Sequence, residues 1–186
     1  MYLGDNNMEK ITITEALAEI PTITKRINKK QEFIFSYLYR QSSVRDPHEK
    51  DGGAQLLISR EIQAIDDLQE RIVNIRAAIQ KSNQVNTITI GNTTRTIADW
   101  LTWRREVAPV QQVFLNTIVG RLNAVRQDAQ RKGMSVIGED KGYSSNDIIV
   151  NISEKGLADS IEEFEQVMGF LDGQLSLKNA TILIDL

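Results

Sequence analysis

The sequence predicts a mainly α protein, an antiparallel bundle of about four long helices carrying a small β element. Three observations predict it. Isoleucine recurs at every seventh position in two separate stretches, first as Ile13, Ile20, Ile27 and Ile34, then as Ile58, Ile65, Ile72 and Ile79. Two further stretches repeat apolar residues at helical spacing. Strand-like alternation is confined to short runs near 87–96, 135–152 and 181–186.

In the first helix, Leu17, Ile23, Tyr37 and Leu38 fill the positions between the isoleucines. Such a stripe packs lengthwise against another helix. Thr12 and Glu15 have capping-box spacing, which places the start near Thr12. Pro21 removes a backbone donor, so a kink or a restart is expected there. Lys25, Arg26, Lys29 and Lys30 form a basic, solvated face. Phe33, Phe35, Tyr37 and Tyr39 lie on several sides of the helix end, so at least one is expected to meet another element or another subunit.

Residues 41–53 read as a loop, with Asp46-Pro47 and Asp51-Gly52-Gly53 as turn signals. His48 lies in it and reads as a solvated histidine. The second helix is expected from about Ala54 to about Lys81, with Ile62, Leu68 and Ile75 completing its stripe. Its length of roughly 40 Å matches the first helix, so the pair forms an αα-hairpin most simply.

Thr87-Ile88-Thr89-Ile90 alternates like a strand. Gly91-Asn92 then separates it from Thr93–Thr96, the pattern of a two-residue hairpin. Thr96 and Asp99 suit the N-cap and third position of the next helix. That helix carries two stripes. One is Ile97, Leu101, Ala108, Leu115, Ile118, Leu122, Val125 and Ala129; the other is Trp100, Trp103, Val107, Val110 and Phe114. A helix apolar on two sides touches two neighbours, or one neighbour and another subunit. Pro109 predicts a second kink, and Gly133 a C-terminal stop. Trp100, Trp103, Arg104 and Arg105 admit a sharp reading, a stacking platform for a base or a sugar. They also admit a bland one, a tryptophan-filled core end covered by arginine, and that one is adopted.

Residues 133–156 read as a β-rich insertion, with strands at Ser135–Ile137 and Asp147–Ile152 around a polar turn. Asp140, Asn146 and Asp147 offer oxygen ligands, but their spacing is not that of a calcium loop. The fourth helix is expected from Leu157, with Ile161, Phe164, Met168, Leu171 and Leu175 inward and Glu162, Glu163 and Glu165 beside them. The tail, with Ile182 and Ile184, reads as an apolar strand. It is expected to join the strands around Val136 and Ile149 or to dock on another subunit, because a free edge invites aggregation.

Residues 1–186 are thus read as a single domain with a flexible segment at 1–11. The chain has no cysteine and one histidine, which excludes disulfides, thiolate metal sites and multi-histidine centres. Its 22 basic and 25 acidic residues give a net charge of −3, which argues against a chain built to neutralise phosphates. No apolar run reaches the roughly 18–20 residues of a membrane span, and Met1–Lys10 lacks the apolar core of a signal peptide. No phosphate loop, dinucleotide fingerprint or zinc-protease motif is found. The Asn-x-Ser/Thr triplets at Asn92, Asn151 and Asn179 read as chance matches. No catalytic residue, metal ligand or cofactor site is assigned, so the chain is expected not to be an enzyme.

Four passages resemble a family. They are TEALAE (Thr14–Glu19), DLQERIVNIRAAIQKSN (Asp67–Asn83), GNTTRTIADWLTWRRE (Gly91–Glu106) and LDGQLSLKN (Leu171–Asn179). Their order is similar to that of the septicolysin-like helical proteins of bacteria and their phages. Where that family usually has Arg-Asp and Asn-Trp, this chain has Arg105-Glu106 and Asn179-Ala180. The resemblance implies a helical bundle without enzyme activity, and the toxin-like family name raises membrane activity as an alternative. The expected function is structural: a cytoplasmic or virion protein that forms homo-oligomers or attaches to capsid or tail proteins of a phage. A ligand- or nucleic-acid-binding module using residues 100–105 is the other alternative. The interaction candidates are Phe33, Phe35, Tyr37, Tyr39, Trp100, Trp103, Arg104, Arg105, Ile182 and Ile184.

Overall fold

The structure is a computed structural model and describes residues 10–138 and 147–186. The elements run β1 (Lys10–Thr12), α1 (Ile13–Tyr37), a short 3-10 turn (Glu49–Asp51), α2 (Ala54–Val85), β2 (Thr87–Ile90) and β3 (Thr93–Thr96). Next come α3 (Ile97–Thr102), a π-turn (Trp103–Val107) and α4 (Ala108–Arg131). β4 (Val136–Gly138), β5 (Ile148–Val150), α5 (Glu154–Thr181) and β6 (Leu183–Asp185) complete the chain. The protein is mainly α and of helical-bundle character, with small two-stranded sheets. The chain divides into two compact units, one of Met1–Val85 with Ser176–Leu186 and one of Asn86–Leu175.

In the first unit, Thr12 caps α1 as its sequence spacing requires. Its hydroxyl accepts from the Glu15 N–H at 3.2 Å, and the Glu15 carboxylate accepts from the Thr12 N–H at 2.8 Å. α1 runs unbroken through Pro21. The ion pairs Glu19–Arg71 and Lys30–Glu61 show that α1 and α2 are antiparallel, since partners rise along one helix as they fall along the other. Arg71 grips Glu19 with two nitrogens, at 2.9 and 3.2 Å. These pairs, about 30% exposed, set the register of the two helices. The stability comes from the seam, where Ile13, Ala16, Ile23, Ile27, Ile65, Ile75 and Ile79 are buried with Ile184.

The heptad reading needs three corrections here. Leu17, Leu38 and Ile62 face outward, and Ala16 takes an inward place because its small side chain lets the helices approach. α2 continues to Val85, one turn beyond the expected Lys81. The C-terminal strand does not pair with the strands around Val136 and Ile149. It is antiparallel to β1, with Lys10 opposite Asp185 and Thr12 opposite Leu183. Lys10 and Ile11, read as flexible, are therefore in a strand. The pairing buries Ile184 against α1 and α2 and occupies one edge of the strand predicted from sequence.

In the second unit, β2 and β3 form the expected hairpin around Gly91, whose φ of +56° suits a tight two-residue turn. Thr89 and Thr94 hydroxyls bond across it at 2.8 Å. Thr96 caps α3, accepting from the Asp99 N–H at 3.1 Å. Gly133, at φ +67°, ends α4. The Met134 N–H reaches the Ala129 carbonyl and the Gly133 N–H reaches that of Gln130, the paired bonds of a Schellman stop. β4 and β5 pair in parallel, Val136 with Ile148. α5 begins at Glu154, a turn before the expected Leu157, and continues to Thr181, which shortens the last strand. Arg104–Asp172 and Arg126–Glu154 show that α4 and α5 are antiparallel. Between them lies a core of Ala108, Leu115, Leu157 and Phe164.

Candidate interaction surface

The third helix explains where the predicted surface lies. Pro109 has no N–H, and its ring crowds the carbonyl four residues earlier, so an ordinary α-turn is disfavoured just before it. The backbone widens there into a π-turn, with the Ala108 N–H donating to the Trp103 carbonyl five residues back. One extra residue in a turn shifts the phase of everything after it by about 100°. The second apolar stripe is therefore split. Trp100 and Trp103 continue inward into Ala108 and Leu115. Val107, Val110 and Phe114, predicted to share their side, face out instead.

The tryptophans are consumed by the second unit itself. Trp100 is buried, and its indole N–H donates to the Ile88 carbonyl at 2.9 Å, which ties the hairpin to α3. The Arg95 guanidinium lies 5.0 Å from its ring centroid, and Trp103 meets it edge-on at 5.6 Å. Trp103 in turn touches Phe164. Arg104 pairs with Asp172 at 3.0 Å at the edge of the core, and Arg105 with Glu106 at 2.8 Å. Both arginines thus have carboxylate partners, and Trp100 is only 4% exposed.

The outward half is a coherent apolar face. Val107, Val110, Val113 and Phe114 are 48%, 69%, 65% and 63% exposed. They occupy two successive turns on one side of the helix. No described residue of the second unit covers them. Arg121 continues the same side, is exposed, and forms no ion pair among the described residues.

In the first unit the aromatic cluster is also divided. Phe33 and Tyr37 pack on each other and on His48, with Tyr37 edge-on to the imidazole at 4.5 Å. His48 is thus a packing residue rather than the solvated one expected. Phe35 and Tyr39 stay exposed, beside Leu38, Val44 and Leu56 at the hairpin tip. A groove of about 630 Å³ runs along this tip, lined by Tyr39, Arg40, Ser42 and Asp46 among others. The Asp46 side chain organises the loop. Its two oxygens accept from the His48 and Ala54 N–H groups, each at 2.9 Å, so it caps α2. Those two bonds, the Ala54 one first, hold its carboxyl below the usual aspartate range. Ile182 and Ile184 are taken up by the β1–β6 pairing and its core, and the apolar residue of that strand left exposed is Leu183.

The remaining chemistry is sparse. Among the described residues no group of three or more histidine, cysteine, aspartate or glutamate side chains could hold a metal ion. The calcium candidates Asp140 and Asn146 lie outside the described residues. No helix of the described residues is long and apolar enough to cross a membrane.

No family model matches the chain, and no curated protein does. A solved structure does: a functionally unknown conserved protein from Corynebacterium diphtheriae, 16% identical, with a TM-score of 0.50 over 95% of this chain and 100% of that one. At that identity the likeness concerns the fold alone.

Proposed function

We propose that the chain is a non-enzymatic assembly protein that works by associating with copies of itself or with a larger particle, a phage virion being the candidate. The observation that supports this reading is the apolar face of α4. Four large aliphatic or aromatic side chains on one helix side, with no partner among the described residues of their unit, are unfavourable in water. Contiguous exposed apolar patches mark interaction sites. The split tryptophan–valine stripe strengthens the point, because the same helix buries its other side in the ordinary way. Size-exclusion chromatography with light scattering tests the proposal. A mass that is a multiple of 21.0 kDa, or co-elution with a particle, is expected. A 21.0-kDa monomer at every concentration, without a bound partner, overturns it.

A further inference from the structure

Resting on that assembly reading, we propose that the α4 face pairs with the same face of a second copy, as an isologous antiparallel two-helix seam. Three features point to a second copy rather than to an unrelated partner. The first is the order of residues along the face. Val113 and Phe114 stand in the middle, Val110 and Thr117 lie on either side, and Glu106 and Arg121 lie at the ends. A two-fold axis at the level between Val113 and Phe114 then sets Val110 opposite Thr117 and Glu106 opposite Arg121 of the second copy. The second is charge. The ends of the face carry opposite signs, so an antiparallel copy meets complementary charge at both ends, whereas a parallel copy meets like charge. Arg121 has no ion pair of its own, and Glu106 is engaged only by its exposed neighbour Arg105. A bond between adjacent exposed residues is screened and easily exchanged. The third is size. The four side chains expose on the order of 400 Å² of apolar surface, a substantial part of the ~800 Å² that a stable interface buries on each partner. The seam therefore serves a moderate-affinity dimer.

The absence of cysteine makes a direct test possible. Val113 lies next to the proposed axis, so Val113→Cys should form a disulfide-linked dimer on mild oxidation. Val73→Cys, on an exposed position of α2, should not. Glu106→Arg and Arg121→Glu should each raise the dimer Kd about tenfold or more, as a paired charge becomes a clash. The double variant Glu106→Arg/Arg121→Glu should restore the dimer, because each new arginine again faces a glutamate. Circular dichroism of each variant confirms that the helices persist. A protein that associates without Val113→Cys cross-linking and without rescue by the charge swap overturns the seam and leaves the assembly reading standing. A monomer in every variant and in the native protein overturns both.

Discussion

Asp46 combines two tasks in one side chain, turning the loop through the His48 N–H and capping α2 through the Ala54 N–H. Both bonds favour its charged form, so its folded pKa lies below the unfolded one. The sign follows from linkage. Its contribution is fully present above the ordinary aspartate value of about 3.9 and is lost as pH falls through the lowered folded pKa. Asp46→Asn should therefore lower the melting temperature at neutral pH and should differ less from the native protein in acid, which a thermal melt at several pH values reads directly. The isoleucine seam gives a second residue-scale test. Ile75 is 0% exposed and Ile62 is 48% exposed, though both belong to the same sequence stripe. Ile75→Ala should cost about 2–5 kcal/mol in urea unfolding. Ile62→Ala should stay within ~1 kcal/mol. Equal losses would mean that the outward placement of Ile62 is wrong.

At the scale of elements, what the sequence revealed depended on whether a local rule was sufficient. The caps at Thr12 and Thr96, the hairpin at Gly91-Asn92 and the stop at Gly133 each need only a few neighbouring residues, and each was legible. The two halves of the third helix were not, because periodicity assumes a constant turn, and the π-turn before Pro109 breaks that assumption. The same failure dispersed the candidate site. Trp100, Trp103, Arg104 and Arg105 are adjacent in sequence but are spent on internal contacts, while Val113 was overlooked because it fits neither stripe of a regular helix. α5 offers a further test. Gly169 and Gly173 stand inside it, and a methyl group added to either meets nothing within 4 Å. Alanine at each should raise stability by about 0.5–1 kcal/mol, measured by thermal unfolding.

For the whole molecule, the decisive fact is that the first unit is assembled from both ends of the described chain. The chain leaves it at Val85 and returns at Ser176. This closure was not legible in sequence. Nothing local tells β6 to choose β1 over β4 or β5, and Lys10-Ile11-Thr12 is too short to announce itself as a strand. Removing Leu183–Leu186 strips away the partner of β1 and the buried Ile184. The truncated protein should lose about 2–5 kcal/mol from that unit, as a large cavity in a core does. Denaturation followed by circular dichroism should then show an earlier or separate transition for part of the helical signal. A single unshifted transition would count against the closure.

The wide turn at Trp103–Val107 has a consequence for how the gene can tolerate lost codons. A π-turn holds one residue more than the helix around it, so that residue is spare. Excising Arg105 together with Pro109→Ala should leave a regular rod whose inner contacts, from Trp103 to Ala108 and on to Leu115, fall at the normal four- and seven-residue intervals. Excising a residue farther along, such as Gln112, should instead swing every later side chain out of phase and unfold the protein.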